Sequence, residues 1–453
     1  MGEDSRQRSG VRRASGAFER PQACEKLQRT GALQDAAAIS YARLHGYGLD
    51  FRRKNPPWSR FFVLMRTLLC AALFSCACLH GRDIHVGKDA PTIHHAIKVA
   101  VAGDTIHLEP KVYRDYAGFY GKKGEPGKPI TLDGHGATLE GSDPLDPAKW
   151  REVSPGLFAN DDLLPGLSDA AIGRWFFLFD GKMQLMGRTS KGRSAALKKP
   201  EELQHGEWTF VKDPSREKPP SKAIYGTFFI KLAQSQKLVN VSAPMRSAGV
   251  QFGGDNAHLV IKNITATHPY NDGFNIHGDC RDVVFENIRA IECGDDGISA
   301  HESAQYRVDG FVSIGNSTGI CDTGTAQTSY HRVFIAACHA FDLYFLDDGR
   351  YRLTNALVLS QAQNPFSVTG REDKHCELEM DNVLFRRLAE PKTGLIAKTA
   401  VVRAKRLTME NITLDARGEF QSEGAAEGAK ILESFGEEMR QEVFTRRGFP
   451  LPR

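Results

Sequence analysis

Val260-Ile261-Lys262-Asn263-Ile264 returns as Val284-Phe285-Glu286-Asn287-Ile288, 24 residues later, and Val308-Asp309-Gly310-Phe311 follows in the next step. Further copies are Arg332-Val333-Phe334-Ile335, Leu353-Thr354-Asn355-Ala356-Leu357, Met380-Asp381-Asn382-Val383-Leu384 and Met409-Glu410-Asn411-Ile412-Thr413. Short apolar strands separated by turns, with a period near 24, are the mark of a solenoid in which each coil buries its apolar side against its neighbours. No LxxLxLxxN pattern points to a leucine-rich repeat. The expected architecture is all-β: a right-handed parallel β-helix, with main coils over 246–415.

Working towards the N-terminus, residues 82–141 read as a cap and the first coils. Asp83-Ile84-His85-Val86 is a short strand, and Ile93, Ala96, Ile97 and Ala100 line one face of a helix that begins near Pro91. Such a helix closes the apolar end of a solenoid. Residues 142–245 break the rhythm, with strand-like runs at Trp175–Asp180, Trp208–Lys212 and Thr227–Leu232, and read as an inserted β side domain. Residues 416–453 form a tail in which Ile431, Phe435, Met439 and Val443 recur every fourth residue, a helix that either closes the last coil or packs on its side. The stretch PTIHHAI…AGDTIHLEPKVYRD…GKPITLDGHGATLEGS resembles the N-terminal part of the pectate-lyase-like β-helix superfamily. RWFFLFDGKMQLMGR and GEWTFVKD…YGTFFIKLA resemble the β side domain of several β-helix glycosidases.

Charge is unevenly spread. Residues 1–64 hold twelve Arg or Lys against six Asp or Glu, whereas the remaining 389 residues hold 47 against 49. The basicity therefore belongs to one end segment, read as an extension or a mis-assigned start, and no nucleic-acid partner is expected. Residues 65–81, opening Met65-Arg66-Thr67-Leu68-Leu69, read as a signal peptide, giving a secreted or periplasmic protein. The alternative is an N-terminal membrane anchor, and on either reading the membrane is met only through this segment. Cys280, Cys293, Cys321, Cys338 and Cys376 contain no CxxC pair and read as small apolar residues of the interior.

Two adjacent coils align without a gap: Asn271-Asp272-Gly273-Phe274-Asn275-Ile276-His277-Gly278 and Asp295-Asp296-Gly297-Ile298-Ser299-Ala300-His301-Glu302. Strand alternation points Phe274, Ile276, Ile298 and Ala300 inward, and Asn275, His277, Ser299 and His301 outward. His277 is then stacked on His301 and Asp272 on Asp296, with Asp295 beside them. Clustered carboxylates need a cation, a shared proton or open water. Asp272, Asp295 and Asp296 are therefore candidate Ca²⁺ ligands or candidate acid/base carboxylates, with His277 and His301 in support. The plain structural alternative is that the aspartates cap turns whose bend Gly273 and Gly297 supply. Asn275, Glu302, Asp322 and Arg350 are candidate substrate-binding residues along the same groove, with Tyr344, Asp347 and Asp348 beside them.

The Asp272, Asp295-Asp296 spacing resembles the calcium-binding cluster of one class of β-helix pectate lyases, and it also resembles the aspartates of polygalacturonases. This chain has Ser299 where those lyases carry a further Asp. It has Ser317-Thr318-Gly319-Ile320-Cys321 where they carry a lysine base, and Asn316-Ser317-Thr318-Gly319 lacks the polygalacturonase histidine. The resemblance implies an exported carbohydrate-active protein that cleaves a polysaccharide by elimination or hydrolysis. The rival reading is a non-catalytic glycan-binding or cell-envelope β-helix.

Overall fold

A computed structural model describes residues 81–451, apart from 165, 185–196, 218–220 and 234–236. The N-terminal extension and almost all of the expected signal peptide lie outside the described residues. No helix among the described residues is long and apolar enough to cross a membrane.

Two parallel sheets build a β-helix. A 13-stranded sheet carries the long strands and a 9-stranded sheet the short ones. Successive coils pair in strict register, Val260 with Val284 and Val284 with Arg307. The long strands fold over in the middle. Asn263, Asn287, Asn355 and Asn382 sit there with φ between 50° and 60°, a left-handed conformation that asparagine tolerates better than most residues. Inward alternation reverses at that point, so Leu259 and Ile261 are buried before Asn263, and Ile264 and Ala266 after it. The asparagines also bond across coils, Asn382 Nδ2 donating to Asn355 Oδ1 at 2.8 Å and Asn287 Nδ2 to Asn263 Oδ1 at 3.4 Å. The recurring Asn of the sequence motif is therefore a corner residue.

The interior is a continuous apolar stack that includes Phe252, Phe274, Phe285 and Phe311. Each buried phenylalanine contributes about 1.5–3 kcal/mol. Cys280, Cys293, Cys338 and Cys376 belong to it, but Cys321 pairs with Ser299 and Tyr344 in a column on the other face of the strand. The helix Ile93–Val99 is capped by Thr92, whose Oγ1 accepts from the His95 amide, and buries Ile93, Ala96 and Ile97 in the stack. The C-terminal helices Gly428–Ser434 and Gly436–Arg440 lie along the side of the coils. Ile431, Phe435 and Met439 there, with Val443 in the helical segment Gln441–Arg446 that follows, cover Val312, Ile314, Phe334 and Leu357.

Between Ser142 and Pro244 the chain leaves the helix and forms two antiparallel four-stranded sheets. Its first and last strands pair, Ser142 with Pro244, so the insertion returns to its point of departure. Trp175, Phe177, Trp208 and Phe228 form its core.

Candidate functional site

The short strands Phe274–Ile276, Asp296–Ala300 and Thr318–Asp322 lie side by side, with Phe274 opposite Ile298 and Ile298 opposite Ile320. Phe274, Ile276, Ile298 and Ala300 enter the interior stack. Asp272, Asp295 and Asp296 are gathered at the N-terminal end of these strands, and one oxygen from each lies within 4.8 Å of the others. All three are only 2% exposed.

Each contact has a local cause. The Asp296 amide donates to Asp272 Oδ1 at 3.0 Å and the Ser299 hydroxyl to Asp272 Oδ2 at 2.7 Å. The same hydroxyl reaches Asn275 Oδ1 at 3.3 Å, and Asn275 Nδ2 donates to Gln251 Oε1 at 3.1 Å. A polar ladder thus crosses three coils. Gly273 and Gly297 do not supply a left-handed bend. A Cβ on Gly273 would lie 2.7 Å from Ala290 Cβ, and one on Gly297 would lie 2.5 Å from Ser313 Oγ. They are glycines because the interior leaves no room for a side chain.

Sequence reasoning missed Arg174. It ends the side-domain helix Asp169–Arg174, and its Nε lies 2.8 Å from Asp295 Oδ2. Gly294 permits this approach, since a Cβ there would sit 2.6 Å from the Arg174 carbonyl oxygen. Trp175 stacks on Tyr270 one residue further on. The need of three carboxylates for positive charge was legible in the sequence; the side chain that meets it, from another domain, was not. The trio offers the hard oxygen donors that Ca²⁺ takes, and the Arg174 guanidinium stands on one of them, Asp295.

His277 and His301 stack as expected, with ring centroids 4.1 Å apart and planes 3° from parallel. They stand at the other end of the strands, however. Five residues of extended chain separate each from its aspartate, about 16 Å at the strand rise. Glu302 joins them, accepting from the Gly278 amide at 2.8 Å and lying 3.3 Å from His277 Nδ1. Burial works against the Glu302 carboxylate, but His277 and the Gly278 amide outweigh it and bring its pKa down to about 2.

Asp322 is not in the groove. It pairs with Ala300 and Phe345, both interior, and so points inward. There it accepts from Thr328 Oγ1 at 2.6 Å, Tyr330 Oη at 2.9 Å and the Ala300 amide at 3.0 Å. Arg350 opens the long strand Arg350–Ser360, pairs with Gln327 and Glu377, and is exposed on the other sheet. Tyr344 stays on the outer column, stacked on Phe341 at 4.3 Å. Asp347 bonds the Gly324 amide and Asp348 pairs with Lys374.

No family model and no curated protein matches the chain. Among solved structures, "The complex structure of XylC with xylose" is similar at 12% identity and a TM-score of 0.44, over 71% of this chain and 69% of that one. A structure titled "Glycoside hydrolase" is similar at 10% identity and a TM-score of 0.40, over 75% of this chain and 92% of that one. At these values neither informs the chemistry of the site.

Proposed function

We propose that the chain is an exported carbohydrate-active β-helix that cleaves a polysaccharide at Asp272, Asp295 and Asp296. The observation that carries this reading is the gathering of three carboxylates within 4.8 Å on consecutive coils, next to the Arg174 guanidinium. Glycoside cleavage uses two carboxyl groups, one giving a proton to the leaving oxygen and one attacking or activating water. The three side chains are close enough for two of them to act on one glycosidic bond. Asp272, fixed by the Asp296 amide and Ser299, suits the attacking role. Arg174 competes with a cation for Asp295, and no step is routed through a metal.

A second reading rests on the burial of the trio. With Asp295 clamped by Arg174, the cluster joins side domain to coils, and the protein binds glycan without cleaving it. A depolymerisation screen over neutral and uronic polysaccharides, reading both reducing ends and the ultraviolet absorbance of unsaturated uronates, separates hydrolase, lyase and inert outcomes. Loss of activity in Asp272→Asn and Asp296→Asn, with melting temperature retained, is the expected result. Full activity in both variants refutes the proposed site.

A further inference from the structure

Buried polar atoms in a folded protein nearly always have a hydrogen-bond partner, and one left without costs stability. Beside the aspartates two hydroxyls break that rule. Ser317 and Thr318 are 1% and 0% exposed, and among the described residues neither Ser317 Oγ nor Thr318 Oγ1 has a hydrogen-bond partner.

Register fixes where they stand. Thr318 pairs with Asp296 on one side and with Phe341 on the other. Its amide donates to the Asp295 carbonyl oxygen at 3.1 Å, so Ser317-Thr318 follows Asp295-Asp296 one rung along, at about 4.8 Å. Gly319 faces the interior, where a Cβ would lie 2.8 Å from Ile335 Cγ2 in the apolar stack. Its neighbour Thr318 therefore faces out, in the column of Asp296. Phe341 continues that column in the next rung, its ring stacked on Tyr344. Acid, hydroxyl and aromatic ring thus follow one another on adjacent rungs.

We propose that Ser317 and Thr318 bind hydroxyl groups of an uncharged sugar ring beside the aspartates. The inference rests on the glycan reading above and narrows it to a neutral sugar at this position. A serine or threonine hydroxyl both donates and accepts, and so does the hydroxyl of a sugar. A uronate carboxylate is met best by a cationic side chain, above all the bidentate fork of arginine, and neither residue supplies one. Phe341 offers an apolar surface to the C–H face of the same ring. An ion or a single water would use the hydroxyls but has no use for the aromatic ring. The hydroxyls are enclosed as the chain stands, so a sugar reaches them only when this face opens, and association is correspondingly slow.

The test is affinity electrophoresis of the full chain in gels carrying β-glucan, xylan or galactomannan, and in gels carrying polygalacturonate or alginate. At least one neutral glycan is expected to retard the parent. In Ser317→Ala/Thr318→Val the hydroxyls go and little else changes, and affinity for that glycan falls at least tenfold. Because the hydroxyls bond to nothing in the chain, the melting temperature of this variant stays the same or rises, which a structural role for them would not give. The proposal is overturned if no neutral glycan retards the parent, if the double variant is retarded as the parent is, or if its melting temperature falls by several degrees. Cleavage is read separately on the same glycans. A neutral glycan that is bound and not cut refutes cleavage at the aspartates and leaves this subsite standing, whereas binding and cleavage confined to polygalacturonate or alginate do the reverse.

Discussion

Replacing Asp322 by Asn alters a carboxyl that is sealed inside the coils against Tyr306, Tyr330 and Thr328. Burial raises its pKa from the ordinary 3.8 to about 6, although four donors, the Thr328, Tyr330 and Tyr306 hydroxyls and the Ala300 amide, work to lower it. Because the folded-state value lies above the unfolded one, the unfolded chain loses this proton first. The contribution to stability is fully present below about pH 4 and is lost as pH rises through about 6. At about 1.4 kcal/mol per pH unit, the full swing is about 3 kcal/mol. Asn keeps the shape and cannot ionise, so its variant escapes the swing whatever its constant offset from rearranged hydrogen bonds. Urea denaturation of both proteins between pH 4 and 7.5 should show the variant gaining about 2.4 kcal/mol on the parent across that range. Asp342, pushed up to about 7 by its own burial, adds a parallel loss to both proteins and cancels in the difference. A difference that stays flat with pH refutes the placement of an ionisable Asp322 in the dry interior.

Arg174→Ala leaves Asp295 buried beside two other carboxylates and should cost about 3 kcal/mol of stability in denaturant unfolding. Adding Asp295→Asn should restore part of it; if the two effects simply add, the pair is not coupled. Gly297→Ala puts a methyl 2.5 Å from Ser313 Oγ and 2.7 Å from the Gly319 carbonyl oxygen, for a loss of about 1–3 kcal/mol, and an unchanged melting temperature would contradict that packing. Millimolar Ca²⁺ should leave the melting temperature unchanged, whereas a saturable rise would show that the aspartates take the ion despite Arg174. On a substrate found by the depolymerisation screen, Asp272→Asn should lower turnover by about 100-fold or more, as loss of a catalytic carboxyl does. His277→Gln, about 16 Å away, should lower it less than tenfold, and equal losses would mean that both ends of the strands act on one bond.

The coils were legible because a parallel β-helix writes its period into the sequence. The recurrence of Lys262-Asn263-Ile264 as Glu286-Asn287-Ile288 marked both the step and, unrecognised, the corner. Register followed too, and with it the stacking of His277 on His301. Asp322 shows where a simple rule was not carried far enough. Its polarity suggested a groove, but it occupies the inward column of Ala300, and alternation alone would have placed it inside. The strand rise likewise separates Asp272 from His277. Arg174 is different in kind. Nothing in its local sequence marks it, because its partner belongs to a coil that only the folded insertion brings within reach.

The composition of the aspartate cluster weighs against a purely structural role. A clamp between side domain and coils needs one carboxylate for one guanidinium, and Trp175 on Tyr270 already supplies apolar contact there. Even that single pair gains little, because a buried ion pair is often no more stabilising than apolar side chains of the same volume. Two further carboxylates in the same space raise the electrostatic cost of folding, which Asp272 offsets in part by accepting from the Asp296 amide and the Ser299 hydroxyl. Glycoside cleavage, by contrast, uses two carboxyl groups close to one bond, and a nearby cation steadies the charge that moves between them. The surplus of acid over what docking needs is the part of the site that the proposed cleavage would use.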